Sequence, residues 1–150
     1  LRPFMDNYKL FEEITVPFVI TPHYGEFCRL TSADSKTIES EFASVVTDFM
    51  NDFGGILVAK NAPSCVFYKK DGIVNSTGNP ALATAGTGDV LTGMIAGLIA
   101  QGLEPSNAAQ TAVYIHGKAA DFFCEKKGMR GMIASDLLNT IPTVLAKYDD

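Results

Sequence analysis

The chain has 150 residues, 47% of them apolar and 19% charged, with 13 glycines and 7 prolines. A chain of this size can bury roughly two thirds of its unfolded surface and needs no disulfide or metal staple; its apolar content excludes disorder, and its few glycines and prolines exclude a collagen-like repeat. The net charge of −5 argues against a nucleic-acid or anionic-membrane surface, so a bound phosphate would be held mainly by backbone N–H groups.

In chain order, residues 1–14 read as the end of a helix or a loop. Residues 17–20 form a short buried strand ending at Thr21-Pro22. From 35 to 53, apolar residues recur at Ile38, Phe42, Val45, Val46, Phe49, Met50 and Phe53, the three-and-four spacing of a helix with one buried face. Gly54-Gly55 closes it. Residues 56–59 are a continuous apolar run, as expected of a covered strand. Residues 65–68 and 73–75 flank Lys70-Asp71-Gly72, whose Asp-Gly pair suits a tight hairpin turn. A glycine- and threonine-rich loop then runs from Gly78 to Asp89 and leads into a helix over 87–101, stopped by Gly102. Ser106 is expected to cap a further helix to Lys127. A last helix starts at Ser135 or Asp136 and carries Leu137, Leu138, Ile141, Val144, Leu145 and Tyr148. Pro142 should kink it or mark a new start. Strands mixed with helices predict a layered α/β sheet with the hairpin as an antiparallel edge. The crowding of helices at the end suits a domain whose earlier strands lie upstream of Leu1.

Cys28, Cys65 and Cys124 are odd in number and form no close pair, which suits a reduced, cytoplasmic setting with all three as small core or surface residues. The longest apolar stretch, 90–103, is shorter than the ~18–20 residues of a membrane span, and no leader peptide is expected. No His/Cys/Asp cluster has metal-ligand spacing, and no serine sits in a nucleophile elbow.

The strongest chemical feature is Ala85-Gly86-Thr87-Gly88-Asp89 at the start of a helix. Glycines let the backbone approach an anion closely, and the first helical turn adds unpaired N–H groups and its dipole. Asp89 has two readings. A carboxylate in a first turn favours the helix through capping and dipole alone. It could instead take or orient the proton of a hydroxyl that attacks a phosphoryl group. His23 and Lys60 each follow a strand, where ligands gather in open α/β sheets. His23 is a ligand contact or a structural histidine, and Lys60 is a phosphate contact or a solvated edge lysine. Glu26 caps the next turn or shares the site, and His116 reads as helix packing.

Two segments carry a family resemblance: Thr21-Pro22-His23-Tyr24-Gly25-Glu26, and Gly78-Asn79-Pro80 through Thr84-Ala85-Gly86-Thr87-Gly88-Asp89-Val90-Leu91-Thr92-Gly93. Tyr114-Ile115-His116-Gly117 and Ala134-Ser135-Asp136-Leu137-Leu138 add to it. Together they resemble the ADP/ATP-dependent NAD(P)H-hydrate dehydratases, which form the C-terminal domain of bifunctional NAD(P)H-hydrate repair enzymes. The resemblance implies a ribokinase-like three-layer α/β/α sandwich with a mostly parallel sheet, of which 1–150 is the C-terminal portion. It implies repair of hydrated NADH or NADPH by phosphorylation of the ring hydroxyl and loss of phosphate, with ADP or ATP as co-substrate and Mg²⁺ as cofactor. Carried over, Asp89 is the catalytic base or orienting group and contacts the hydrate, as His23 and Glu26 contact the dinucleotide. Gly86, Thr87 and Gly88 hold the transferring phosphate; Lys60, Asn61, Ala62, Pro63 and Ser64 line the nucleotide. A fused or separate epimerase and a homo-oligomer are the implied protein partners, with no nucleic acid and no membrane. The family's usual Lys-Gly-Ala-x-Thr is here Lys60-Asn61-Ala62-Pro63-Ser64, and its double glycine is Ala85-Gly86. Two alternatives remain: a small-molecule kinase of the same fold, and a nucleotide-binding fragment without turnover.

Overall fold

The computed structural model describes residues 1–148 and falls into two units, the first spanning residues 1–74 and the second beginning at Asn75. The first unit opens with α1 (Arg2–Asp6) and a 3₁₀ turn (Tyr8–Phe11). Then come β1 (Val19–Ile20), α2 (Tyr24–Thr31), α3 (Ser35–Asp52), β2 (Ile56–Ala59), β3 (Cys65–Tyr68) and β4 (Asp71–Val74). The strands form one mixed sheet in the order β1-β2-β3-β4, with β1 parallel to β2 and the other two pairings antiparallel. Every residue of β2 is buried, as its unbroken apolar run requires, whereas β4 is exposed throughout.

Helix α3 buries the face its spacing predicts, with a kink at Glu41 (φ −130°, ψ 29°): Ile38, Val46, Phe49 and Met50 are buried, and Phe42 and Val45 pack against the same core. Its start is fixed by Asp34, whose carboxylate accepts from the Lys36 and Thr37 N–H groups at 2.8 and 3.0 Å. The core is aromatic. Phe11 stacks on Phe18, Phe53 stands edge-on to both, and Phe49 meets Phe27 and Phe53. Such offset and edge-on pairs each add about 0.5–1.5 kcal/mol beyond area burial.

Residues 24–31, to which the sequence pattern assigns no element, form a helix with only Phe27 and Leu30 buried, too few to show a period. One sequence expectation changes in this unit. The hairpin turn lies at Lys69-Lys70, not Asp71-Gly72, which pair with Tyr68 and Phe67 inside the ladder. Gly72 is needed for space: a Cβ there would stand 2.7 Å from the Phe67 ring. Lys69 instead takes the left-handed conformation of the turn, at φ 54°.

The second unit is helical: a 3₁₀ turn (Pro80–Leu82), α4 (Thr87–Ala100), α5 (Pro105–Lys127) and α6 (Ala134–Leu145). Helix α5 packs against both α4 and α6, and its buried face is dominated by alanines at 108, 109, 112, 119 and 120, which let helices approach closely. Phe123, Met132, Leu137 and Val144 complete the core. Ser106 is not the cap of α5; Glu104 holds that place, and Pro105 enters at the first position, where a missing N–H costs nothing. Helix α6 begins one residue early, at Ala134, because the Asp136 carboxylate accepts from the Ile133 N–H at 2.9 Å. It also runs through Pro142 to Leu145. The carbonyl that Pro142 leaves without a helical donor is that of Leu138, whose residue is exposed and open to water. Of the apolar set expected on this helix, Leu137 and Val144 are buried, whereas Leu138, Leu145 and Tyr148 are exposed.

Candidate active site

In the first unit the C-terminal ends of β1 and β2 bring His23 and Lys60 together. The two residues form an isolated parallel bridge beyond the named strands, and the Lys60 N–H donates to the Pro22 carbonyl at 3.1 Å. His23 is the N-cap of α2. Its Nδ1 accepts from the Glu26 N–H at 3.3 Å, and the Glu26 carboxylate accepts from the His23 N–H at 2.9 Å, a closed capping box. An Nδ1 that accepts leaves the hydrogen of the neutral ring on Nε2, which lies 3.6 Å from Glu26 Oε2. The His23 side chain is 61% exposed, so this edge of the ring can reach a ligand. Glu26 is thus tied to His23 and orients it.

Residues 61–64 form a tight loop after Lys60. The Ser64 hydroxyl donates to the Asn61 carbonyl at 3.2 Å, and the Ala62–Pro63 peptide is cis. Asn61, Ala62 and Pro63 are exposed. Asn61, where the family's pattern has glycine, is not among the residues with positive φ, so the replacement carries no left-handed strain. The next residue, Cys65, is buried, and burial pushes its thiol pKa up, which keeps it an inert core group.

In the second unit the loop before α4 has its own logic. Gly86 is the N-cap at φ 87°, a left-handed conformation that favours glycine. Its carbonyl accepts from the Asp89 and Val90 N–H groups, each at 3.1 Å. Thr87 is buried, with its hydroxyl turned inward to the Leu82 and Thr84 carbonyls at 2.7 and 2.8 Å and its N–H on Thr84 O at 3.3 Å. Thr87 therefore braces the loop and offers no donor outward. Among the described residues, the N–H groups of Ala85, Gly86 and Gly88 meet no backbone acceptor. They stand at the positive end of a 14-residue helix dipole. Ala85 joins the set on this geometry; its side chain gave no sign of it.

Asp89 is exposed, and its carboxylate accepts no hydrogen bond from the first turn of α4, which has no side-chain cap. The capping reading of Asp89 does not describe this helix. Behind the loop, Asn79 caps the 3₁₀ turn through the Ala81 N–H at 3.0 Å and donates to Asp121 at 2.9 Å. Asp121 also accepts from the Gly78 N–H at 3.0 Å, and His116 Nε2 lies 2.9 Å from the Thr87 carbonyl. Asp121 escaped sequence reading because it lies 43 residues from its partner Gly78. Each unit thus presents one open feature: an oriented imidazole beside a lysine in the first, and an amide nest with an untied carboxylate in the second. Among the described residues, no group of three or more His, Cys, Asp or Glu side chains could hold a metal ion, and no helix is long and apolar enough to cross a membrane.

Comparison with known proteins gives a consistent picture. A family model described as NAD(P)H-hydrate dehydratase matches residues 4–143. The bifunctional NAD(P)H-hydrate repair enzyme of Moorella thermoacetica is 39% identical over 135 residues, which is 89% of this chain and 26% of that protein. The ADP/ATP-dependent NAD(P)H-hydrate dehydratase of Bacillus subtilis, co-crystallised with ATP and Mg²⁺, superposes with a TM-score of 0.83 at 31% identity. That match covers 89% of this chain and 48% of the Bacillus chain. A ribokinase-like superfamily protein from Enterococcus faecalis superposes with a TM-score of 0.75 at 30% identity, covering 87% of this chain and 44% of its own. The fold is therefore ribokinase-like. The chain spans about a quarter of the bifunctional relative and about half of the Bacillus enzyme.

Proposed function

The chain belongs to the NAD(P)H-hydrate dehydratase family, and from that premise we propose that it supplies the phosphate-handling part of an enzyme that returns hydrated NADH or NADPH to the intact dinucleotide. The ring hydroxyl of the hydrate attacks the terminal phosphoryl group of ADP or ATP, giving AMP or ADP and a phosphate ester. The ester leaves as inorganic phosphate while the neighbouring ring carbon loses a proton, and the ring double bond re-forms. Phosphorylation turns a poor leaving group into a good one.

The chain's own residues have these roles in the proposal. Asp89 orients the attacking hydroxyl and accepts its proton, a task for which a carboxylate with no cap to hold is free. The Ala85, Gly86 and Gly88 N–H groups, held in shape by Thr87, donate to the transferring phosphate as an oxyanion hole does. Lys60, Asn61, Ala62, Pro63 and Ser64 line the nucleotide, with Lys60 as the cation. His23, oriented by Glu26, donates from Nε2 to the damaged dinucleotide. Mg²⁺, when bound together with the nucleotide, would supply charge neutralisation to its phosphates. An epimerase activity, fused or separate, is the implied partner.

The observation that carries the reading is the set of unclaimed amides beside the untied Asp89 carboxylate. The test uses the protein expressed from its full coding sequence, incubated with hydrated NADH, Mg²⁺ and either ADP or ATP. Recovery of the NADH absorbance band is the expected outcome. No recovery with either nucleotide sinks the assignment, and accumulation of a stable phosphorylated product would make the protein a small-molecule kinase of the same fold.

A further inference from the structure

Helix α5 carries a buried histidine that neither the fold nor the proposed chemistry has yet used. His116 is 7% exposed, among residues that are mostly alanine and glycine. An imidazole at such a depth is costly unless it hydrogen-bonds, and here Nε2 lies 2.9 Å from the Thr87 carbonyl. A carbonyl oxygen only accepts, so Nε2 carries the hydrogen in this contact. As a residue of the first turn of α4, Thr87 also offers that carbonyl to the helix ladder. The histidine is therefore a second donor to an oxygen the helix already uses.

Its consequence follows from the peptide plane. The Thr87 carbonyl and the Gly88 N–H are opposite ends of one rigid trans amide. A donor that fixes the carbonyl fixes the direction of the N–H, which is one of the three amides without a backbone acceptor. Hydrogen bonds in series also polarise one another, so donation at the oxygen strengthens the N–H as a donor at the other end. The same stretch of α5 holds the start of the loop. Gly117 allows the backbone of Thr77 to approach so closely that a Cβ would meet its carbonyl carbon at 2.7 Å, and the Thr77 hydroxyl donates to the Tyr114 carbonyl at 2.8 Å.

Resting on the reading of the loop as a phosphate hole, we propose that His116 is a positioning residue: it anchors the Thr87–Gly88 peptide so that the Gly88 N–H faces, and binds more strongly, a nucleotide phosphate. Three variants of the full-length protein separate this from packing. His116→Gln can place its amide nitrogen near the Nε2 position and keep the bond. His116→Asn is polar but too short to reach Thr87, and His116→Met fills the space with no donor.

Two readouts are needed. The first is the amide proton shift of Gly88 without ligand, by NMR. It should move upfield in the Asn and Met variants and stay near the wild-type value in Gln. The second is ADP affinity by calorimetry. It should fall about five- to tenfold in Asn and Met, with Gln recovering most of the loss, as expected when part of one charge-assisted hydrogen bond is removed. A Gly88 amide that is indifferent to all three substitutions overturns the proposal, as does ADP affinity that follows thermal stability instead of the donor. If Met does not fold, the Gln and Asn pair still decides. Wild-type protein that binds no ADP would overturn the phosphate reading itself, and the Gly88 shift would then judge the anchor alone.

Discussion

Helices α2 and α4 start with the same arrangement, an N-cap residue followed three positions later by a carboxylate, yet their ends are in opposite states. At α2, His23 and Glu26 satisfy one another and close the turn. At α4, Gly86 has no side chain to cap with, and Asp89 caps nothing. A closed N-terminus gains about 0.5–2 kcal/mol of helix stability, and an open one gives that up while keeping its donors and its positive dipole for a ligand. An acidic residue in a first turn is therefore ambiguous by itself. What its side chain holds distinguishes a structural carboxylate from a chemical one.

The sharpest way to break this contrast is to neutralise each carboxylate in turn. Asp89→Asn should abolish measurable turnover, a loss of at least about 10²-fold for a group that moves or orients a proton, while ADP affinity stays within a few-fold. Single-turnover NADH recovery and calorimetry on the same preparation would check both. Turnover that survives removes Asp89 from the mechanism and makes the two helix starts alike.

The companion change, Glu26→Ala, should act on stability first. Loss of half the capping box should cost about 1 kcal/mol in urea denaturation. KM for the hydrated dinucleotide should rise a few-fold as His23 loses its orientation, with kcat little changed. A collapse of kcat at intact stability would instead make Glu26 a direct participant in the reaction.

These outcomes also measure how far the amino-acid order can be read. Helix α3 and strand β2 were legible because burial writes itself as spacing: five of the seven apolar positions expected in 35–53 are buried, and all of Ile56–Ala59 are. Helix α2 was not, since eight residues with two buried positions hold too little of a 3.6 period. The Asp-Gly pair of the hairpin misled because glycine serves two needs, and at Gly72 the need was room for Phe67.

The loop before α4 was legible as residue types, through its glycines and the aspartate. The direction of each amide was not. Thr87 reads as a ligand contact, but both its hydroxyl and its N–H turn inward, whereas Ala85 looks inert and offers an N–H. His116 and Asp121 brace the loop across 29 and 43 residues of chain, a distance over which no local pattern operates.

The smallest expected effect lies at a third helix start, which falls on the closed side of the comparison. Asp34 accepts the Lys36 and Thr37 N–H groups and the Thr37 hydroxyl. The bonds from Thr37 hold its pKa below the ordinary value of 3.8 against the opposing effect of desolvation, with a lesser contribution from the bond of Lys36. A pKa lower in the folded than in the unfolded chain means that the unfolded state binds more protons as the solution is acidified. The stabilisation is complete above the ordinary aspartate range and is lost as pH falls through the lower folded value. Asp34→Asn should therefore flatten a small part of the acid limb of stability against pH and leave the neutral region nearly unchanged, because an asparagine cap is as good as an aspartate one. Urea midpoints measured across the acid range for both proteins would show it. Parallel acid limbs would mean that Asp34 is no better held in the folded chain than in the unfolded one.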